Sequence, residues 1–171
     1  MSITREIRDP DRLADPARYD LGQLTAAERL FLWRHRQKAT NGRLLGRNGS
    51  SMNQAEAAAH LGIGPKLYNK LENGGKVELR TTFDCSKPTS PGQIIVRLYA
   101  GEDATHLIEA LGPIEPATGE LCFLARRRSG QMLMTLEREL GVSRPRYHEL
   151  ERTGDPAMVR FWEARGFRFP A

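Results

Sequence analysis

Apolar residues recur at helical spacing in two separate parts of the 171-residue chain. Tyr68 and Leu71 lie three residues apart, as do Tyr147 and Leu150, and this spacing keeps each pair on one side of a helix. Polar residues fill the positions between the members of each pair. Only residues 76–87 hint at an extended chain. The pattern therefore predicts an all-α fold.

Capping signals predict where the helices begin. Thr25 with Glu28, and Ser51 with Gln54, form the pattern of a capping box, in which the hydroxyl accepts a backbone N–H and the residue three positions on reaches back. Asp155 precedes a proline, which suits the first position of a helix. We expect helices over 26–38, 52–61, 65–73, 91–100, 104–111, 119–128, 131–140, 144–152 and 156–165.

The chain contains an internal repeat. Residues 60–75 align with residues 139–154 at an offset of 79, and ERLFLWRHR from Glu28 aligns with ELCFLARRR from Glu120 at an offset of 92. Both copies keep the same order of parts, which chance rarely gives, so two units of one architecture are predicted. The identical positions in the longer block are Leu61/Leu140, Gly62/Gly141, Tyr68/Tyr147, Leu71/Leu150, Glu72/Glu151 and Gly75/Gly154.

The first copy carries thirteen extra residues between its two matched blocks, because the two offsets differ by that number. They lie in KATNGRLLGRNGSS, a basic, glycine-rich segment that is predicted to be a loop. Arg43 and Arg47 are its candidate contacts to nucleic acid, along a phosphate backbone or in a minor groove. A mobile loop without a ligand is the alternative.

The repeat also predicts the domain boundaries. We expect a flexible N-terminal arm over 1–20, a first unit over 21–80, a linker with short helices over 81–115, and a second unit with a C-terminal helix over 116–171.

The composition limits the class of protein. Lys and Arg number 26 against 21 Asp and Glu, and a net charge of +5 favours polyanions such as nucleic acid over an ordinary basic surface. Hydrophobic residues make up 39%, which suffices for small helical cores but not for a large layered enzyme. No apolar stretch approaches the ~20 residues that cross a bilayer. The N-terminus MSITREIRDPDRL lacks a signal core, so we expect a cytoplasmic protein without a membrane partner.

No motif for catalysis or metal binding occurs in the sequence. The four histidines are scattered outside any HExxH motif, and GxSxG, P-loop and dinucleotide GxGxxG motifs are absent. Cys85 and Cys122 show no CxxC spacing and are predicted to be thiols in a reducing compartment. We therefore expect no enzymatic activity, no catalytic residue, no metal and no cofactor.

Each copy places Leu-Gly and an aliphatic residue between two helices. Gly62 and Gly141 allow the left-handed turn that ends the first of these helices. NQAEAAAHLGIGPKLYNKLENG resembles the Cro/CI-type (XRE-like) helix-turn-helix family, and TLERELGVSRPRYHELERTG is similar to its turn and third helix. The second copy departs at Leu133, which stands in the place of Gln54. The resemblance implies two lambda-repressor-like units joined by a short helical linker.

The resemblance also implies a DNA-binding surface on the third helix of each unit, with the tyrosines facing inward. Arg and Lys donate to guanine, Asn pairs with adenine and Glu accepts from cytosine. The candidate DNA-binding residues are Gln54, Lys66, Asn69 and Lys70 in the first copy, and Arg144, Arg146, His148 and Glu149 in the second. The alternative is a solvated charged face.

Three arginines end the first helix of the second copy, and Arg127 is a candidate phosphate contact among them. Basic residues at a helix C-terminus also complement the helix dipole, so a structural role is the alternative. Glu72 and Glu151 recur in the repeat, and the resemblance implies that they are structural.

These observations predict a bacterial-type, sequence-specific transcription regulator that binds double-stranded DNA, with repression favoured over activation. Two units in one chain suit two half-sites about 34–36 Å apart. Alternatively, one unit contacts DNA and the other forms a homodimer. Two further alternatives are an antitoxin-like protein-interaction module and an excision or architectural factor of a phage or mobile element.

Overall fold

The computed structural model describes residues 15–37, 51–78 and 97–171, and within them the protein is all-α, as predicted. These ranges contain no β-strand, although an isolated bridge pairs Asp20 with Arg168. No helix in them has the length and apolarity that a membrane span requires. A 3₁₀ helix (Pro16–Tyr19) is followed by α1 (Ala26–Arg36), α2 (Gln54–Leu61), α3 (Pro65–Glu72), α4 (Thr105–Leu111), α5 (Thr118–Ser129), α6 (Leu133–Leu140), α7 (Arg144–Thr153) and α8 (Pro156–Glu163).

Two compact units divide the chain, and each contributes four of the described α-helices. The first unit, Thr25–Ile114, contains α1 to α4. The second unit contains α5 to α8 in Glu115–Ala171, together with residues 15–24 and their 3₁₀ helix. Helices α2 and α6 begin and end at the offset of 79 that relates the sequence repeat, and α3 and α7 begin at it. The sequence repeat is therefore a repeat of helices.

Helix α4 belongs to the first unit and not to a linker. It packs against α1, and its Leu107 and Ile108 are buried in the same core as Tyr68. The described part of the predicted linker over 81–115 thus completes the first unit. Within the predicted helix over 91–100, the described residues 97–100 are not helical, and the rest lies outside the described residues.

Residues 15–24 are held within the second unit, whereas the sequence predicted a flexible arm over 1–20. Arg128 explains the difference because its guanidinium group satisfies several backbone acceptors at once. A sequence pattern does not reveal such a contact, since the partners are far apart along the chain. Residues 1–14 lie outside the described residues. Arg128 donates to three carbonyl oxygens, those of Arg18 (3.0 Å), Asp20 (2.8 Å) and Gln23 (2.8 Å).

Helix α2 begins two residues later than its predicted capping box implies. Asn53 is the cap: its Oδ1 accepts the N–H of Glu56 (2.9 Å), and Glu56 Oε2 accepts the N–H of Asn53 (3.0 Å). The predicted box of Ser51 and Gln54 is therefore wrong, because asparagine is at least as good a cap as serine. The Gln54 side chain is left to make other contacts. The predicted box at the start of α1 is confirmed.

A tight turn joins the second and third helices of each unit. Gly62 has a φ of 71° and Gly141 has the same φ, which lies in the left-handed region. The residue after each glycine donates its N–H back to the helix that has just ended, with N···O distances of 3.0 Å from Ile63 and 3.1 Å from Val142. The turn was predicted from its glycine, and both copies form it.

Replacing Gly141 tests the backbone requirement of this turn. A Cβ at Gly141 would have nothing within 4 Å, so Gly141→Ala changes the conformational energy and not the packing. We expect the free energy of unfolding to fall by about 1–2 kcal/mol. Urea unfolding followed by Trp162 fluorescence, in a Trp33→Phe background, reports the second unit separately, because each unit contains one of the two tryptophans.

Gly141→Asn is the matched variant, since asparagine tolerates the left-handed region better than alanine. It should lose clearly less stability than Gly141→Ala. Equal losses in the two variants would contradict the backbone explanation.

Candidate nucleic-acid interface

A buried ion pair joins the end of the first helix to the third helix in both units. In the first unit, Arg34 Nη2 lies 2.6 Å from Glu72 Oε1, and Arg34 Nε lies 3.1 Å from each carboxylate oxygen. In the second unit, Arg126 Nε and Nη2 lie 2.7 and 3.1 Å from the two oxygens of Glu151. The carboxylates are almost fully buried, with 3% of Glu72 and 5% of Glu151 exposed. The recurrent glutamates are therefore structural contacts.

Two of the three arginines that end α5 have partners inside their own unit. Arg126 is committed to Glu151, and Arg128 is committed to backbone carbonyls of its own unit. Arg127 is half-buried with its Nη1 inside the protein, which limits how much of this guanidinium can reach a phosphate. The candidate contact of Arg127 to DNA stays a prediction, and its two neighbours have structural roles.

In the first unit, the start of α3 is exposed to solvent. Pro65 and Lys66 are exposed, whereas Asn69 and Lys70 are half-buried. The Lys70 ammonium group pairs with Glu78 at the surface. The predicted outward face is thus accessible at its beginning and engaged in intramolecular contacts further along. Arg43 and Arg47 lie outside the described residues.

A chain of side-chain hydrogen bonds connects the buried pair to this face. Gln54 Nε2 donates to Glu72 Oε2 (3.0 Å), Asn69 Nδ2 donates to Gln54 Oε1 (2.8 Å), and Asn73 Nδ2 donates to Asn69 Oδ1 (3.3 Å). The structure therefore brings together two predicted site residues, Gln54 and Asn69. Asn73 was not predicted as part of the site. Asn73 follows the last residue of α3, and its spacing of four residues from Asn69 is the signal that could have identified it.

The second unit has a different surface at the matching positions. Arg144 Nε donates to Glu137 Oε1 and Arg146 Nη1 donates to Glu149 Oε2, both at 2.7 Å. All of these groups except Glu137 are more than half exposed. The half-buried His148 lies edge-on to the ring of Tyr147. The charges of the two arginines are thus locally balanced by carboxylates.

The helix before that surface begins with apolar residues. Met132 is 63% exposed and Met134 is 53% exposed, and half-buried Leu133 lies between them. Leu133 occupies the place that Gln54 holds in the first unit, so the hydrogen-bond chain of the first unit has no counterpart here. The two copies therefore share a scaffold but expose different chemistry.

A cysteine and two tyrosines in the two cores are buried and have raised pKa values. Burial, with the charge of Glu151, raises the pKa of Cys122 to about 12, so the thiol is protonated at neutral pH. Tyr68 and Tyr147 are fully buried, which confirms that they are core residues, and burial raises their pKa values. Within the described ranges, no group of three His, Cys, Asp or Glu side chains could hold a metal ion. Cys85 lies outside these ranges.

Comparison with known proteins adds no relative to this description, because no family model, curated protein or solved structure matches the chain. The resemblance to the Cro/CI-type family therefore stays a prediction from the repeated sequence motif.

Removing one member of a buried ion pair should destabilise the protein strongly. Arg126→Ala leaves Glu151 buried without its guanidinium partner, and such changes typically cost about 3–5 kcal/mol. We expect this decrease in the free energy of unfolding of the second unit, measured by urea unfolding with Trp162 fluorescence in the Trp33→Phe background.

The control replaces both partners by apolar residues, Arg126→Met with Glu151→Leu. This double variant should recover most of the missing stability, because no charge is then left in the core. A double variant as unstable as Arg126→Ala would show that the pair itself stabilises the unit.

Proposed function

We propose that the protein is a sequence-specific regulator of transcription that binds double-stranded DNA, and that it acts as a repressor by covering a promoter site. The observation that carries the proposal is the arrangement around α3. The turn at Gly62 and the ion pair at Glu72 fix both ends of the helix, while Lys66 at its start is exposed. A helix held in this way, with polar groups at its exposed beginning, suits docking in a major groove.

Charge supports the same proposal. The chain carries a net charge of +5, and basic side chains that neutralise phosphates supply most of the affinity for any DNA sequence. In the first unit, Lys66 is the exposed cation at the start of α3. DNA binding also implies action in the cytoplasm, where bacterial DNA lies. A regulator of this kind needs no catalytic group and no cofactor.

The second unit is compatible with a second DNA contact. Arg144 and Arg146 are 60% and 54% exposed. Glu149, the partner of Arg146, is equally exposed, whereas Glu137, the partner of Arg144, is 13% exposed. Exposed ion pairs typically contribute about 0–1 kcal/mol, so a phosphate or a guanine can replace Glu149 as the partner of Arg146 at small cost. We therefore propose a DNA contact in each unit.

Salt dependence tests whether the chain binds DNA at all. We expect the association constant for a random-sequence duplex to fall steeply as the salt concentration rises. The basic side chains of the bound protein displace counterions from the phosphates, and added salt opposes this release. Fluorescence anisotropy of a labelled duplex measures the slope of log K against log[salt]. Binding that does not respond to salt, or no binding at low salt, would reject the proposed function.

Sequence selection tests the residues. After bound sites are chosen from a random pool, Arg144→Ala with Arg146→Ala should weaken binding to the chosen site by roughly tenfold or more and blur its sequence, since a bidentate hydrogen bond to a base is worth about 1–3 kcal/mol. Arg160→Ala is the matched control, because it removes an exposed arginine of the same unit from α8 instead. An unchanged site preference in the double variant would exclude these arginines from recognition.

A second candidate function, self-association, is favoured by the surface of the second unit. Met132 and Met134 expose apolar side chains at the start of α6, and exposed apolar groups of this kind occur at protein interfaces. In this alternative the second unit joins two copies of the chain, and the first unit contacts DNA.

Charged substitutions at the methionines test the alternative. Met132→Glu with Met134→Glu should convert a dimer into a monomer in sedimentation equilibrium, since two carboxylates cannot be buried unpaired in an interface. Tyr99→Glu is the control, because Tyr99 is 64% exposed but belongs to the first unit. A wild-type chain that is monomeric at all concentrations would reject self-association.

A further inference from the structure

The buried carboxylate of Glu72 dictates the orientation of a neighbouring amide. It accepts hydrogen bonds from Arg34 and from Gln54 Nε2. An ionised carboxylate offers acceptors and no donor, so the Gln54 amide must turn its NH₂ group towards Glu72. The carbonyl oxygen of Gln54 consequently points away from the buried pair. That oxygen accepts the Nδ2 hydrogen bond of Asn69 at 2.8 Å.

The orientation of the Gln54 amide in turn determines the orientation of the Asn69 amide. Because Gln54 presents an acceptor, Asn69 turns its own NH₂ group towards it, and Asn69 Oδ1 is left to accept from Asn73 Nδ2 at 3.3 Å. A side-chain amide can be turned in either of two orientations, and its hydrogen-bond partners decide between them. In this chain of hydrogen bonds, the buried carboxylate of Glu72 selects one of the two orientations.

Asn69 retains hydrogen-bonding capacity after these contacts. One Nδ2 hydrogen is used by Gln54, and one Oδ1 lone pair is used by Asn73. One donor and one acceptor are left on a half-buried side chain of α3. In the major groove, adenine presents N7 as an acceptor and N6 as a donor, which is the complementary pair.

We propose that Glu72 is a positioning residue for base recognition: through Gln54 it fixes the direction of the Asn69 amide, and the first unit thereby selects adenine at one position of its site. This inference rests on the proposed DNA-binding function. It concerns the first unit alone. In the second unit, Leu133 replaces Gln54 and His148 replaces Asn69, so no amide chain can form.

The second unit also supplies the variant that tests the proposal. There, Leu133 coexists with the intact pair of Arg126 and Glu151, so Gln54→Leu should leave the pair of Arg34 and Glu72 in place. We expect the stability of the first unit, read from Trp33 fluorescence in a Trp162→Phe background, to change little. Asn69 should no longer hold a fixed orientation.

Nuclear magnetic resonance of the ¹⁵N-labelled protein measures that orientation without DNA. In the wild type we expect two well-separated Asn69 Hδ2 signals, one of them exchanging slowly with water because it is bonded to Gln54. In Gln54→Leu the chemical shifts of the two signals should converge, and both hydrogens should exchange quickly with water. Asn69→Asp identifies the signals by their disappearance. Unchanged Asn69 signals in Gln54→Leu would overturn the proposal.

Site selection measures the consequence for recognition. We expect wild type to prefer adenine at one position by roughly tenfold, within the 1–3 kcal/mol range of a bidentate contact, and Asn69→Ala to abolish that preference. Gln54→Leu should abolish it at the same position. Removing a phosphate hydrogen bond made by Gln54 would instead lower the affinity equally for all sequences. The double variant, Gln54→Leu with Asn69→Ala, should be no less selective at this base position than Asn69→Ala alone.

Glu72→Gln tests the origin of the orientation. Glutamine can donate as well as accept, so the Gln54 amide is no longer forced to one direction, and we expect both the separated Asn69 signals and the adenine preference to weaken. If this variant unfolds, Gln54→Leu decides. An adenine preference that Asn69→Ala removes but Gln54→Leu keeps overturns the positioning role and leaves DNA binding intact. A wild type without salt-dependent DNA binding rejects the proposed function instead, and the Asn69 signals still report whether the amide chain exists.

Discussion

The buried pair between an arginine of the first helix and a glutamate of the third is the contact on which each unit depends. Taking two charges out of water is costly, and the cost is offset only when the geometry is close and the oxygens are satisfied. Arg34 and Arg126 meet this condition with two or more hydrogen bonds each. Because apolar replacements are often equally stable, we regard the pair as a device that fixes one arrangement of the helices. The third helix consequently has a defined inner face, and its outer face is left for polar groups.

The two units show how one scaffold carries different surfaces. In the first unit, Gln54 extends the buried pair outward as a chain of amides. In the second, Leu133 has no hydrogen-bonding group, so no such chain forms, and two exposed methionines flank it. The arginines of α7 are balanced by glutamates on neighbouring turns and on α6. The difference arises from a few surface positions, because the turn and the ion pair are the same in both copies.

The sequence predicted what depends on local chemistry. The left-handed turns follow from Gly62 and Gly141, the helix order follows from the repeat, and the cap of α1 follows from a capping box. Long-range partners were not predictable in this way. The sequence singled out Glu72 but not its hydrogen bond to Gln54. It also placed α4 in a linker, since the burial of Leu107 in the first core depends on tertiary packing and cannot be read from the local sequence. The exposure of Met132 likewise depends on what packs nearby.

The proposed recognition surfaces differ in what a DNA site must displace. In the first unit, Asn69 is ordered during folding, so the entropy of fixing its side chain does not reduce the affinity for DNA. In the second unit, Arg144 and Arg146 must each leave a glutamate before they contact a base or a phosphate. That exchange costs little for Arg146, whose partner Glu149 is exposed, and more for Arg144, whose partner Glu137 is 13% exposed. The released carboxylates then lie near the phosphates and repel them. The residues of the first unit are therefore positioned before DNA binds, whereas the base contacts of the second unit require an exchange of ion pairs and depend more strongly on salt.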